Sequence, residues 1–208
     1  MIELRNASMT LFGRQLFNGL SLKAETGEAI GIIGEKSCGK TSLLKALLGL
    51  EPIESGFASI DGEPITQQTS WMFRKMMSYV PQDLRFSPGS VSDLAKATYS
   101  FQPSDHQRFP KQQLMEMWDF LKIDETTYGK NVHEISKETL QRILLASAGM
   151  QHKPIAIIDD PVSEQSEDGI KLIASFLSSD IFKDTAIVVA TDDESIINIC
   201  KQTITLKN

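Results

Sequence analysis

Apolar positions along this chain follow two periods. Short, nearly unbroken runs occur at residues 29–33 (Ala-Ile-Gly-Ile-Ile), 155–158 (Ile-Ala-Ile-Ile), 185–190 and 203–206. Runs of this length, rich in Ile and Val, read as strands buried on both faces. Between them lie stretches with helix-spaced apolar residues: 43–48, 112–121, 140–148 and a segment near 168–177. Residues 2–34 break into shorter strand-like pieces separated by the turn formers Gly13, Asn18-Gly19 and Gly27, and further strands are expected at 58–60 and 77–80. From about residue 87 to 150 the pattern is helical, opening on Ser90-Val91-Ser92-Asp93, a capping-box pattern. Strands alternating with helices predict an α/β fold with a mainly parallel sheet covered on both faces. An N-terminal antiparallel β subdomain and an inserted helical lobe complete the expectation. The whole chain, 1–208, reads as one domain, with a core at 1–86 and 151–208 and the lobe at 87–150.

The first strand run leads into Gly34-Glu35-Lys36-Ser37-Cys38-Gly39-Lys40-Thr41, which is G-x-x-x-x-G-K-[ST] between a strand and a helix. Gly34 and Gly39 let the backbone curl so that successive N–H groups face an anion. The N-terminus of the next helix adds its positive dipole end. In this pattern Lys40 reaches the terminal phosphates and the Thr41 hydroxyl ligates Mg²⁺. The chain therefore reads as a P-loop NTPase that binds a nucleoside triphosphate. A second chemical element is Ile155-Ala156-Ile157-Ile158-Asp159-Asp160-Pro161. A buried strand ending in acids puts a carboxylate at the sheet's C-terminal edge, where Asp159 can hold Mg²⁺ opposite Thr41.

Composition narrows the partners. Hydrophobic content is 41%, charged content 23%, and the formal net charge is −6 with no basic run, which speaks against nucleic acid as a partner. No apolar stretch approaches membrane-spanning length and the N-terminus does not read as a signal peptide, so a membrane role is expected to be peripheral. Cys38 and Cys200 do not suggest a disulfide framework, and a thiol inside the phosphate loop suits a reducing cytosol; Cys38 reads as a small residue filling the loop, with a reactive thiol beside a helix N-terminus as the alternative. His106, His133 and His152 lack ligand spacing. The cluster Trp71-Met72-Phe73 with Met76-Met77 is expected to pack against the core.

These motifs, in this order, make the chain resemble the ATP-binding subunit of ABC transporters over essentially its whole length. Residues 34–41 match the Walker A loop and 155–159 Walker B. Tyr79-Val80-Pro81-Gln82-Asp83 is similar to the family's Q-loop, and residues 86–94 to the segment that follows it in exporters. The resemblance implies that Gln82 senses Mg²⁺ and the attacking water. It implies ATP and Mg²⁺ as cofactors, a homodimer or a heterodimer with another ATP-binding subunit, and a transmembrane permease as partner. The expected location is cytoplasmic, peripheral on the inner face of the cell membrane.

The departures from the family pattern are informative. The signature Leu-Ser-Gly-Gly-Gln is replaced by Ile135-Ser136-Lys137-Glu138-Thr139, which keeps Ser136 as a candidate phosphate contact and helix cap but loses both glycines. The catalytic Glu position holds Asp160, the switch His position holds Asp192, and the loop after Walker B reads Ser163-Glu164-Gln165-Ser166 without its aspartate. The adenine-stacking aromatic aligns with Leu11, and Phe12 beside it is the candidate substitute. Asp160, Gln82 and Asp192 are thus the candidate catalytic positions, and hydrolysis is expected to be slow or partner-dependent. Two readings stay open: an ATPase subunit driving a separate permease, and an ATP-regulated binding or assembly module with little turnover.

Overall fold

Two sheets organise the chain, which in this computed structural model is described over residues 1–84, 89–99 and 109–207. The N-terminal hairpin pairs β1 (Ile2–Leu11) with β2 (Arg14–Ala24), and the chain then enters β3 (Ala29–Ile33). After the loop at 34–39 comes α1 (Lys40–Leu47), followed by β4 (Ser55–Ile60) and the short β5 (Glu63–Pro64). A brief α2 (Ser70–Arg74) leads into β6 (Met77–Val80). Helices α3 (Val91–Tyr99), α4 (Lys111–Phe120) and α5 (Lys137–Met150) come next. The chain closes with β7 (Ile155–Asp159), α6 (Glu167–Leu177), β8 (Ala186–Ala190), α7 (Glu194–Ile197) and β9 (Gln202–Thr205).

The long apolar runs become the parallel sheet, ordered β6-β7-β8-β3-β9. Every residue of β7 and β8 is buried, because helices cover both faces of the sheet's centre. β1, β2, β4 and β5 form a separate antiparallel sheet in the order β2-β1-β4-β5. The expected α/β class, with a parallel sheet beside an antiparallel one, is what the chain adopts. Between the sheets, Leu43, Leu44 and Leu47 of α1 pack with Leu4 and Met9 of β1 and with Ile157 and Val188 of the parallel strands. On the other face, α3, α4 and α5 gather around Trp118, Leu114, Ile143 and Leu145 and reach Ile158 and Val189 of the sheet. These three helices lie in sequence between β6 and β7.

Two local expectations are corrected. Asn18-Gly19 is not a turn. It lies inside β2, where the pairing slips from Ala7↔Leu20 to Met9↔Phe17 and Gly19 takes a φ of 63°. The extra residue forms a bulge, and the hairpin turn itself is made at Phe12-Gly13, both with positive φ. The Trp71–Met72 pair does not pack inward either. Both side chains are about half exposed, Lys75 Nζ sits 4.9 Å from the Trp71 ring centre, and only Phe73 and Met77 of that cluster join the core. The capping pattern at residue 90 forms as expected: the Asp93 amide donates to Ser90 Oγ at 3.1 Å, and Ser90's amide donates to the Asp93 carboxylate. Residues 86–88 of the segment likened to exporters, the first residues of the expected lobe, and His106 lie outside the described residues.

The join between β4 and β1 is unusually tight. A Cβ on Gly56, whose φ is 74°, would lie 2.2 Å from the Arg5 carbonyl oxygen and 2.5 Å from Asn6. Gly13 has a similar φ of 77° but open space around it. Gly13→Ala should therefore cost only the left-handed backbone strain, about 1–2 kcal/mol. Gly56→Ala should cost at least about 3 kcal/mol, because rigid backbone must move as well. Urea denaturation of both variants beside the wild type measures the difference, and equal losses would contradict the packing described.

Candidate functional site

The parallel strands end at one edge of the sheet, and their C-terminal ends carry the polar residues. β3 delivers Gly34, β7 delivers Asp159 and Asp160, β8 delivers Thr191 and Asp192, and Gln82 follows β6 by two residues. The residues that sequence reasoning singled out in separate motifs thereby meet at one cleft of about 750 Å³. Lys36, Ser37, Gly39, Lys40 and Thr41 line it together with Gln82, Asp159, Asp160 and Asp192. Leu11, Phe12 and Arg14 of the β1–β2 hairpin line it as well. Phe12, on the turn of the β1–β2 hairpin, is fully exposed, whereas Leu11 is partly buried against the core.

The loop's backbone is shaped by its glycines. Gly34 has a φ of 149°, and a Cβ there would strike the Leu206 carbonyl oxygen at 2.5 Å and Cys38 Sγ at 2.8 Å. Gly39, at φ 104°, precedes the first residue of α1, and a Cβ on it would press against Leu16 at 3.1 Å. Both positions need glycine because the loop is wedged against β2 and the end of the chain. Cys38 points into that wedge: its side chain is 1% exposed and belongs to the core. Of the two readings of Cys38, loop filler and reactive thiol, the buried side chain fits the filler.

Lys40 is held by three protein acceptors. Its ammonium donates to the Gly34 carbonyl, to the Glu35 carbonyl at 3.4 Å and to Asp192 Oδ2 at 2.6 Å. The other Asp192 oxygen accepts from the Gly34 amide at 3.0 Å, so one carboxylate bridges the loop's first N–H and its lysine.

Asp159 is 3% exposed at the end of β7, and the Thr41 hydroxyl donates to its carboxylate. Its Oδ2 is buried with no hydrogen-bond partner among the described residues. Burial, chiefly, holds the Asp159 carboxyl above the ordinary carboxylate range; neighbouring Asp160 adds to this and Thr41 opposes it. Burial, with Asp159 and Glu51 adding, also pushes the nearby Tyr79 hydroxyl up to about 12. A buried, half-satisfied carboxylate beside a hydroxyl fits a hard divalent cation such as Mg²⁺, which takes oxygen donors and would offset the charge. Thr41, Asp159 and Gln82 are the residues that could hold it.

Asp160 is positioned differently. Its backbone is left-handed, at φ 50°, and its amide donates to the Ala190 carbonyl at 2.9 Å. Gln82 Nε2 donates to its Oδ2 at 3.0 Å. Burial raises its carboxyl as well, with Asp192 adding and the Gln82 bond opposing. The left-handed backbone favours Asp over Glu, since a short side chain that bonds locally tolerates that region best.

Ser136 does not reach this cleft. It caps α5, its Oγ accepting from the Thr139 amide at 3.1 Å. The residues after it are instead tied to the loop after β7. Lys137 pairs with Glu164 at 3.2 Å, and Arg142 bonds Glu138 at 2.6 Å and Gln165 at 2.9 Å. Ser166 Oγ donates to Glu138 at 3.2 Å. Gln165 Nε2 donates to Gln141 Oε1 at 2.9 Å, and Gln141 Nε2 donates to the Asp160 carbonyl at 2.9 Å. Sequence reasoning missed Gln141. Its one signal was a polar residue within the helix-spaced apolar run at 140–148, and it proves to be 1% exposed.

The buried Asp159 carboxylate has a consequence for stability. Its folded pKa is raised above the ordinary value of 3.8, so the folded state binds its proton more tightly than the unfolded chain. Its contribution is fully present below the unfolded pKa and is lost as pH rises through the folded pKa. Asp159→Asn removes that loss. The metal-free variant should melt higher than the wild type at pH 7, by about 2–4 °C for each kcal/mol relieved, and the gap should narrow toward pH 4. Melting curves in EDTA at both pH values test this; an unchanged or lower melting point at pH 7 would contradict it.

Comparison with known proteins agrees with this architecture. Residues 17–163 match the ABC transporter family. A manganese transport system ATP-binding protein of Listeria innocua is 32% identical over 148 residues, covering 68% of this chain and 59% of that protein. An Fe(3+) ions import ATP-binding protein of Pseudomonas fluorescens is 26% identical, over 78% of this chain and 46% of its own length. The chain thus spans about half to three-fifths of the length of these two relatives. Among solved structures, a dimeric bacterial ABC transporter cassette superposes with a TM-score of 0.87 at 20% identity, covering 100% of this chain and 94% of that one. A strand-bound phosphate loop, a second strand ending in Asp159, and a family match over most of the length lead to one conclusion: the chain belongs to the ABC transporter family, as an ATP-binding cassette domain.

Proposed function

We propose that the chain is the ATP-binding subunit of an ABC transporter, and that it closes as a dimer on ATP to act on a separate membrane permease at the inner face of the membrane. The observation that carries this reading is the convergence of Lys40, Thr41, Gln82 and Asp159 on one cleft. Lys40 and the loop amides would bind the phosphates, and the hairpin at Leu11 and Phe12 would meet the base. Thr41, Asp159 and Gln82 would hold Mg²⁺, which when bound draws the charge of the phosphate oxygens. No described helix is long and apolar enough to cross a membrane, so the permease would be a different polypeptide segment. Ser136, remote from its own cleft, would reach nucleotide only across a head-to-tail pair.

Slow turnover is favoured by two contacts. Asp160 is the candidate general base, yet its carboxylate is held by Gln82 and its shorter side chain sets it back from the attacking water by roughly an ångström, a displacement that can cost about a hundredfold. Asp192 lies on Lys40. A second reading, an ATP-regulated binding or assembly module, draws on the same contacts.

Lys40→Ala should weaken binding of a fluorescent adenine nucleotide by on the order of 2 kcal/mol, the scale of a lost charge-assisted contact. Thr41 and Asp159 substitutions should act chiefly on the Mg²⁺ dependence. Equal affinity of wild type and Lys40→Ala would overturn the phosphate-binding role. The purified wild type should hydrolyse ATP slowly, and Asp160→Glu should recover only part of the missing rate because the left-handed backbone resists Glu. Brisk turnover abolished by Asp160→Asn would instead make Asp160 a fully working base.

A further inference from the structure

Lysine has three N–H donors, and those of Lys40 meet three protein acceptors: two backbone carbonyls of the loop and the Asp192 carboxylate. The carbonyls of Gly34 and Glu35 belong to the loop and cannot leave without unfolding it. Asp192 is a side chain on the turn between β8 and α7, and it is about half exposed. Any phosphate that takes Lys40 must therefore displace Asp192 or accept it as a neighbour.

The position of this carboxylate along the loop matters. A polyphosphate starts at the N-terminus of α1, where the helix dipole and the amides around Gly39, Lys40 and Thr41 face the cleft. Its outer phosphates are the ones that the loop lysine reaches. That is where Asp192 sits, accepting from the Gly34 amide and the Lys40 ammonium at 3.0 and 2.6 Å, as an anion would. Asp160 lines the same cleft as Asp192. A third phosphate thus meets two carboxylates where a second phosphate meets mainly donors.

We propose that Asp192 is a built-in occupant of the third-phosphate position, which makes this cleft selective for a nucleoside diphosphate over the triphosphate. The inference rests on the nucleotide-binding reading above and specifies which nucleotide the resting site holds. Like charges a few ångströms apart in a partly closed cleft repel strongly, whereas in open water the effect is small. Since Asp192 is half exposed, the selectivity it creates is moderate, on the scale of tenfold. ADP fills the inner positions and leaves the Gly34–Asp192–Lys40 bridge largely in place, while ATP must break it and then bear the repulsion.

Calorimetric titration of the full chain with ADP and with ATP, each in EDTA and in MgCl₂, tests the proposal. The wild type should bind ADP more tightly than ATP. Asp192→Asn keeps the shape and an acceptor for the Gly34 amide but loses the charge, and Asp192→Ala removes both. Each should shift the ATP-to-ADP affinity ratio toward ATP by about tenfold, mostly through tighter ATP. An unchanged ratio in both variants, with nucleotide still bound, overturns the proposal and leaves the nucleotide reading standing. Equal tightening for ADP and ATP also overturns it, since Asp192 would then compete with any phosphate. Failure of the folded wild type and both variants, checked by circular dichroism, to bind either nucleotide overturns the nucleotide reading and this inference together.

Discussion

The constraint on which the rest depends is parallel pairing at the centre of the sheet. Because β7, β8 and β3 run the same way and are buried between helices, their carboxyl ends share one edge. Gly34, Asp159 and Asp192 come from positions far apart in the chain, yet the strand register leaves them no other place to go. Helix α1 packs its Leu43, Leu44 and Leu47 between the two sheets, so the loop before it is stretched across that same edge. The cleft is thus a product of apolar burial, and its polar chemistry is carried on the ends of elements that exist for packing reasons.

Within this frame, charge is distributed unevenly. Asp159 is desolvated with one oxygen unpartnered, a costly arrangement unless a cation completes it. Lys40 has no such deficit, since protein groups already satisfy it. The third donor of Lys40 goes to Asp192, a contact that the glycines, the lysine and the helix N-terminus do not announce when taken alone. By resemblance, Asp192 falls at the position of the family's switch histidine.

Much of this was legible from residue types. Gly39, Lys40 and Thr41 have a spacing that leaves few alternatives, and the run ending at Asp159 could hardly be other than a buried strand. What stayed hidden were contacts between distant positions. Asp192 is 152 residues from Lys40, and no local rule assigns it a partner. Asn18-Gly19 carries a strong turn signal, but Phe12-Gly13 closes the hairpin earlier, so the later glycine's left-handed conformation is spent on a bulge. Trp71 and Met72 read as core because they are apolar, although a five-residue helix beside an edge strand cannot bury every side. The hydrogen bonds of Gln141 escaped for a related reason: glutamine in an apolar helix announces burial of a polar group without naming what it binds.

The Gln141 contact has a mechanical side. Helix α5 is joined to the Asp160 carbonyl by one amide, and that amide is braced by Gln165, Arg142 and Glu138. Asp160 in turn has a left-handed backbone conformation. A tilt of α5 against the sheet would have to sever the Gln141 bond or rotate the peptide that carries the carboxylate. The helical layer and the acid at the strand's end therefore form a single linkage, in which torque on the first is felt as a change of aim in the second.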